Sequence, residues 1–492
     1  MRGRTNIPPR VGGIVKGDIQ EYVVAKGYQI GVGDYVETTN NGAVVYQELG
    51  SSYMRPSEIY QMEDGTYVVF TLDSGTFSTC VRAHRFQVDA NGITPLGSIA
   101  VDLSQIVPHL GVGADATTPS TRMYFNVLQM SGNVFLFWCA TYDTVQKRTV
   151  IEVKWNGSTF TTKALYSVAT DGTRSIVANT NDFFKWDDSH FVMVYLNGTV
   201  WDLVVMNYSD GVASVMDTVN NVGINVRNTL SLEGAANIFR TGNTILVQTY
   251  NRLVQLRRYN VDVVSGDITV DTMLEVSVWG VPYNWQQIDE TRFLVARSDG
   301  VKTVKGNVLS YNDGIITMSE EQTFVTNMIN DGMSEFSYTK FAATLLDNDR
   351  VLFLDKTKKN ALYWVGVVNW DAVLGTADEL TLYNLDMRGS ESGAFPNIPI
   401  ATNKKFFFDG KRKMLMLTYK VDEDPPSNNY LNIESVRAIT LWMFNLDQDI
   451  VMPFEKVLQV KKYQRRISGV AKTAGTAGEV VQVYVPPVEE GS

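Results

Sequence analysis

Residues 191–211 read Phe-Val-Met-Val-Tyr-Leu-Asn-Gly-Thr-Val-Trp-Asp-Leu-Val-Val-Met-Asn-Tyr-Ser-Asp-Gly. The turn Asp187-Asp188 precedes the run, and Phe191-Val192-Met193-Val194 reads as a strand buried on both faces. Trp201 to Tyr208 alternates more loosely and ends at an aromatic residue, a small polar residue and the hairpin turn Asp210-Gly211. A more polar strand then follows, as in Ile268-Thr269-Val270-Asp271 of a later copy. The unit is short strand, turn, buried strand, connection, alternating strand, turn, outer strand.

The aromatic site recurs at Phe86-Gln87, Trp155-Asn156, Tyr208-Ser209, Tyr259-Asn260, Tyr311-Asn312, Trp370-Asp371 and Phe444-Asn445. Subtraction gives gaps of 69, 53, 51, 52, 59 and 74 residues. The earlier turn of each unit is Asp64-Gly65, Gly132-Asn133, Asp187-Asp188, Gly242-Asn243, Asp289-Glu290, Asp347-Asn348 and Asp409-Gly410. Repetition at this period with strands on both sides predicts a radial array of small sheets. The expected fold is all-β, a seven-bladed β-propeller of four-stranded antiparallel blades. In it the repeated aromatics cover the gaps between blades, each burying roughly 150–250 Å².

Bulk properties fit. At 492 residues the length alone suggests about three domains, but the repeat makes most of the chain one domain. Composition is 44% hydrophobic and 20% charged, ordinary for a globular chain. The apolar run Val134 to Ala140 falls far short of the ~20 residues of a spanning helix, so membrane insertion is not expected. The N-terminal MRGRTNIPPR lacks the apolar core of a secretion signal. Cys80 and Cys139, in different repeats, read as buried free thiols of a chain made in a reducing cytoplasm.

Chemistry is sparse. His84, His109 and His190 sit at different points of the repeat, so no metal site is expected. Asp187, Asp188, Ser189 and His190 resemble a triad in order only, because consecutive side chains should point apart. Asp422-Glu423-Asp424 reads as an exposed acidic loop rather than a calcium site. Asp73-Ser-Gly75-Thr-Phe77 is one residue short of a sialidase Asp box and is not repeated. The expectation is therefore no enzyme, no catalytic residues and no cofactor. Functional residues are sought where the repeat breaks: segment 102–122, segment 420–435 and the two ends.

Both ends are basic within a chain of net charge −10. Arg2, Arg4 and Arg10 at one end, and Lys461, Lys462, Arg465 and Arg466 at the other, are candidate anchor contacts to an acidic partner. Nucleic acid is a poor partner, since the rest of the molecule would repel it. The expected domains are residues 1–50 and 461–492 as two halves of a small β module, with the propeller at 51–460.

The terminal segments Gly33-Asp34-Tyr35-Val36, Gly469-Val470-Ala471 and Ala477-Gly478-Glu479-Val480-Val481-Gln482-Val483 are short strands set off by glycines. Here the chain resembles bacteriophage virion proteins, in particular the small β-barrel of capsid decoration and cement proteins. The resemblance implies a non-enzymatic virion structural protein, synthesised in the host cytoplasm and present in multiple copies per particle. Its implied partners are other virion proteins of capsid or tail and a host cell-surface glycan. Competing readings are a carbohydrate-binding, receptor-binding propeller and a polysaccharide hydrolase or lyase.

Overall fold

The computed structural model describes residues 18–24, 29–32, 35–52, 57–73, 75–89, 92–110, 117–118, 123–141, 147–169, 182–197, 200–220, 238–249, 254–276, 284–298, 304–312, 314–325, 341–345, 350–355, 363–367, 380–381, 407–408, 413–421, 436–453, 469–476 and 480–485. Among these the chain is all-β, and its one helical piece is the single 3-10 turn Val107–Leu110.

Antiparallel four-stranded sheets follow one another along the sequence. The second is Met123–Ser131, Val134–Thr141, Lys147–Trp155 and Phe160–Ala169, each strand paired to the next. The third is Asp182–Lys185, His190–Asn197, Val200–Ser209 and Val212–Val219, the stretch that set the repeat. The first runs Tyr60–Gln61, Tyr67–Leu72, Val81–Asp89 and Gly92–Ala100. Sheets four to six begin at Ile238, Asn284 and Phe341 and keep the order, the fifth gaining an extra strand, Gln322–Val325, on its third. The turn glycines carry the left-handed backbone these tight connections require: Gly211 has φ 70° and Gly266 φ 87°, with Asp210 beside Gly211 at φ 48°.

Successive sheets pack face to face. Phe70 of the first sheet lies among Phe135, Phe137 and Phe160 of the second, with ring centroids 5.2, 4.8 and 5.6 Å away in edge-to-face geometry. Leu136, Trp138 and Val150 of the second sheet meet Phe191, Met193 and Val204 of the third. Val192 and Val205 on the third sheet's other face meet Ile245 and Tyr259 of the fourth. The buried strands are apolar on both faces because each face meets another sheet. Cys80 and Cys139 are free thiols in the layer between sheets one and two. Burial pushes Cys80 up to about 12 and Cys139 well above its ordinary value.

The last sheet differs from the others in its origin. Three strands come from the C-terminal side: Phe407–Phe408, Lys413–Val421 and Val436–Pro453. The fourth is Tyr35–Ser52, from the N-terminal side, with Ala43 opposite Asn445 and Gln47 opposite Leu441. Leu415 and Leu441 of this sheet, with Leu49, pack on Tyr67, Val69 and Phe86 of the first. The expected boundary at residue 50 therefore falls inside a strand.

Candidate functional site

The two long strands continue past the last sheet. Val36 to Thr39 pair with Pro453 to Ile450. The ladder is irregular between them and the last sheet, around Gly42 and Asp449. Beyond it, Tyr35 and Val36 pair with Val470 and Gly469. Val470 and Ala471 pair in turn with Tyr484 and Val483. Asp18–Val24 lies antiparallel to Val480–Val485 and parallel to Val436–Pro453 at Val23 and Val24. Each of these five strands thus has a partner on both sides, and the circuit of hydrogen bonds closes.

Burial alternates along the strand Val480–Val485. Val481 and Val483 are fully buried while Val480 and Gln482 face outward, and Ala471 and Ile30 are buried too. The glycine-bearing segment Gly475–Thr476 pairs with Gln29–Ile30 as a small flap. Lys472 lies over the Tyr484 ring at 5.3 Å, and the Gln482 backbone N–H donates to Thr473 Oγ1 at 2.8 Å. The candidate anchor contacts Arg2, Arg4, Arg10, Lys461, Lys462, Arg465 and Arg466 lie outside the described residues.

A second set of polar groups lies on strands of the first three sheets. Thr71 and His84 bond at 2.9 Å, and Arg82 Nε donates to Asp73 at 2.5 Å. Burial, with the Arg82 charge added, lowers the His84 imidazole to about 4. Thr71 is only 1% exposed, and His84 beside it is half-buried. Arg148 and Asp202, also buried, enter the layer between the second and third sheets through the same faces as Val150 and Val204. The near-Asp-box is a structural connection, with Phe77 fully buried and the Asp73 N–H donating to the Cys80 carbonyl at 2.6 Å.

Two expectations change here. Asp187 and His190 do converge: His190 Nδ1 lies 2.8 and 2.9 Å from the two carboxylate oxygens. The turn between them brings residues three apart together, which strict alternation had excluded. Burial pushes the Asp187 carboxyl up, but hydrogen bonds from His190 and Ser189 outweigh it and hold it below the usual range. The Ser189 contact comes from its backbone N–H, so no nucleophile completes a triad. Asp289 holds the same turn in the fifth sheet by bonding Thr291 and Arg292, which makes the Asp187 pair a turn device. The described part of segment 102–122 is also packing: Leu103, Ile106 and Val107 are buried between sheets one and two. Segment 422–435, with Asp422-Glu423-Asp424, lies outside the described residues.

Sequence reasoning missed a set of bonds between sheets. Gln129 donates to the Gln61 carbonyl at 2.5 Å, Lys185 to the Met130 carbonyl at 2.5 Å, and Arg240 to the Trp186 carbonyl. All three donors lie two or three residues ahead of the first turn of their unit. A long donor side chain recurring at that place was the available signal. The repeated aromatics join in: Arg85 lies over Trp155 at 4.2 Å, Tyr208 donates to Glu152, and Arg258 donates to the Tyr311 hydroxyl at 3.3 Å. Each contact crosses to the neighbouring sheet, as the gap-covering role requires. Among the described residues, no three His, Cys, Asp or Glu side chains are grouped to hold a metal.

No protein-family model matches the chain, and no curated protein is similar to it. Solved structures similar to it include the periplasmic gluconolactonase of Pseudomonas aeruginosa, at 11% identity and TM-score 0.41, covering 73% of this chain and 96% of that one. A proposed 6-phosphogluconolactonase of Bacteroides uniformis is 13% identical with TM-score 0.40, covering 82% and 98%. Another from Bacteroides fragilis is 12% identical with TM-score 0.42, covering 75% and 92%. The expectation that the chain is not an enzyme is corrected on this finding and dropped. No activity of these proteins is carried over to this chain at such identities.

Proposed function

We propose that the chain is a structural component of a bacteriophage particle, anchored to capsid or tail through its joined ends. In this reading the sheets form a seven-bladed β-propeller, whose seventh blade takes its outer strand from residues 43–52. The five terminal strands form a small β-barrel that carries the propeller. The propeller, holding most of the acidic residues, projects outward to stabilise the particle or to contact a host-surface glycan.

The observation that carries the reading is the closed circuit of strands from both chain ends. It continues from the last sheet through two shared strands, and the basic residues Arg2, Arg4, Arg10, Lys461, Lys462, Arg465 and Arg466 lie in the sequence segments adjoining its strands. A cluster of positive charge on an acidic molecule favours docking on an acidic surface.

The test is charge reversal, with Lys461→Glu, Lys462→Glu, Arg465→Glu and Arg466→Glu in one chain. Copies per purified particle, counted by quantitative mass spectrometry, should fall at least about tenfold while thermal melting of the isolated protein is unchanged. Unchanged copy number would sink the anchor. A glycan array separately tests the outward face: binding to one glycan class supports host contact.

A further inference from the structure

We propose that the terminal module is a clasp for the joint between the last and first sheets, so that ordering one stabilises the other. The inference concerns the isolated chain and stands apart from any attachment to a particle.

Two strands serve both structures. Residues 43–52 of Tyr35–Ser52 pair with residues 436–445 of Val436–Pro453 in the last sheet. The same strands pair again at residues 36–39 and 450–453, inside the terminal circuit. Leu49, on the first of them, packs with Leu415 and Leu441 against Tyr67, Val69 and Phe86, the contact by which the last sheet meets the first. In the circuit, Asp18–Val24 and Val480–Val485 complete the enclosure around Val481 and Val483. No linker separates the two bodies; they share backbone.

Pairing residues from opposite ends of so long a chain carries a large loop-closure cost. Once the terminal strands have met, pairing residues 43–52 with 436–445 becomes a local event at high effective concentration. Extension of a ladder across a bulge adds pairs to strands already held in register. The reverse also holds, because a coupling free energy acts equally from either side. A partner that grips the terminal module therefore tightens the sheet joint, and loosening the joint loosens the module.

The experiment is amide hydrogen exchange read by mass spectrometry on the full chain and two single variants. Val481→Ala truncates a fully buried side chain on a strand of the module, and Leu441→Ala truncates one that packs at the sheet joint. With coupling, Val481→Ala speeds exchange about tenfold in residues 480–485 and also in 43–49 and 436–445. Leu441→Ala speeds exchange in 480–485 by a similar factor. Residues 134–155 of the second sheet stay at wild-type rates in both and serve as the internal control. Acceleration confined to 480–485 in the first variant, or wild-type rates there in the second, overturns the proposal. Because each variant reads the other's region, failure of one to fold leaves the test intact.

Discussion

Phe70 touches three phenylalanines of the next sheet, and its side chain is fully buried. Phe70→Ala leaves a cavity that rigid strands on both sides cannot collapse, and should cost about 3–5 kcal/mol in denaturant unfolding. At the turns, a Cβ on Gly266 would stand 3.0 Å from Met216 Cβ, on a backbone at φ 87°. Gly157, at φ 98°, has nothing within 4 Å of such a Cβ. Both alanine variants suffer the left-handed backbone, about 1 kcal/mol, and Gly266→Ala should lose clearly more than Gly157→Ala by thermal melting. Equal losses would show that the close approach to the neighbouring sheet is immaterial.

His84 sets a pH dependence. Its folded value, about 4, lies below the ordinary histidine value near 6.5, so the unfolded chain binds the proton more readily between them. Stability should be full above about pH 6.5 and fall as pH drops toward 4, by up to about 3 kcal/mol. His84→Gln, which keeps a polar partner for Thr71, should flatten that part of the profile. This histidine's role was not legible in the sequence. His84 looks like any strand residue until the strand holding Thr71, thirteen positions earlier, pairs with its own and sets the two side chains diagonally within bonding distance. The Asp187–His190 contact was visible as residue types but misjudged, because a turn abolishes the alternation assumed for a strand.

At the scale of elements, the repeated strand order was readable because turns and apolar runs are local properties of the chain. The origin of the last sheet was not. Residues 43–52, Ala-Val-Val-Tyr-Gln-Glu-Leu-Gly-Ser-Ser, read as a strand, but nothing local says that their partner is at 436–445. From the sequence alone, a truncation of residues 1–48 removes only an anchor and leaves a folded repeat array. The pairing overturns that expectation: the deletion takes most of the outer strand of the last sheet and exposes the edge of Val436–Pro453. The truncated chain should melt at lower temperature than the full chain and aggregate, as read by melting and light scattering. A wild-type transition in that variant would refute the strand's structural role.

On the scale of the whole molecule, charge and architecture act together. Net charge is −10 although both ends of the sequence are basic. The meeting of the ends is in the strand pairings, Asp18 to Val23 against Val485 to Val480. The sequence carried the hint in glycine-bounded strands at each end, but pairing between them is a tertiary fact. A binding target was not legible, since the repeated positions are those the packing of the sheets needs.

The most direct measurement is electron microscopy of purified particles from cells producing the chain, labelled with an antibody against it. The account predicts regular label on the particle surface at the capsid or tail, with the chain co-purifying at fixed stoichiometry. Unlabelled particles, with the chain recovered only from the soluble fraction, would contradict it.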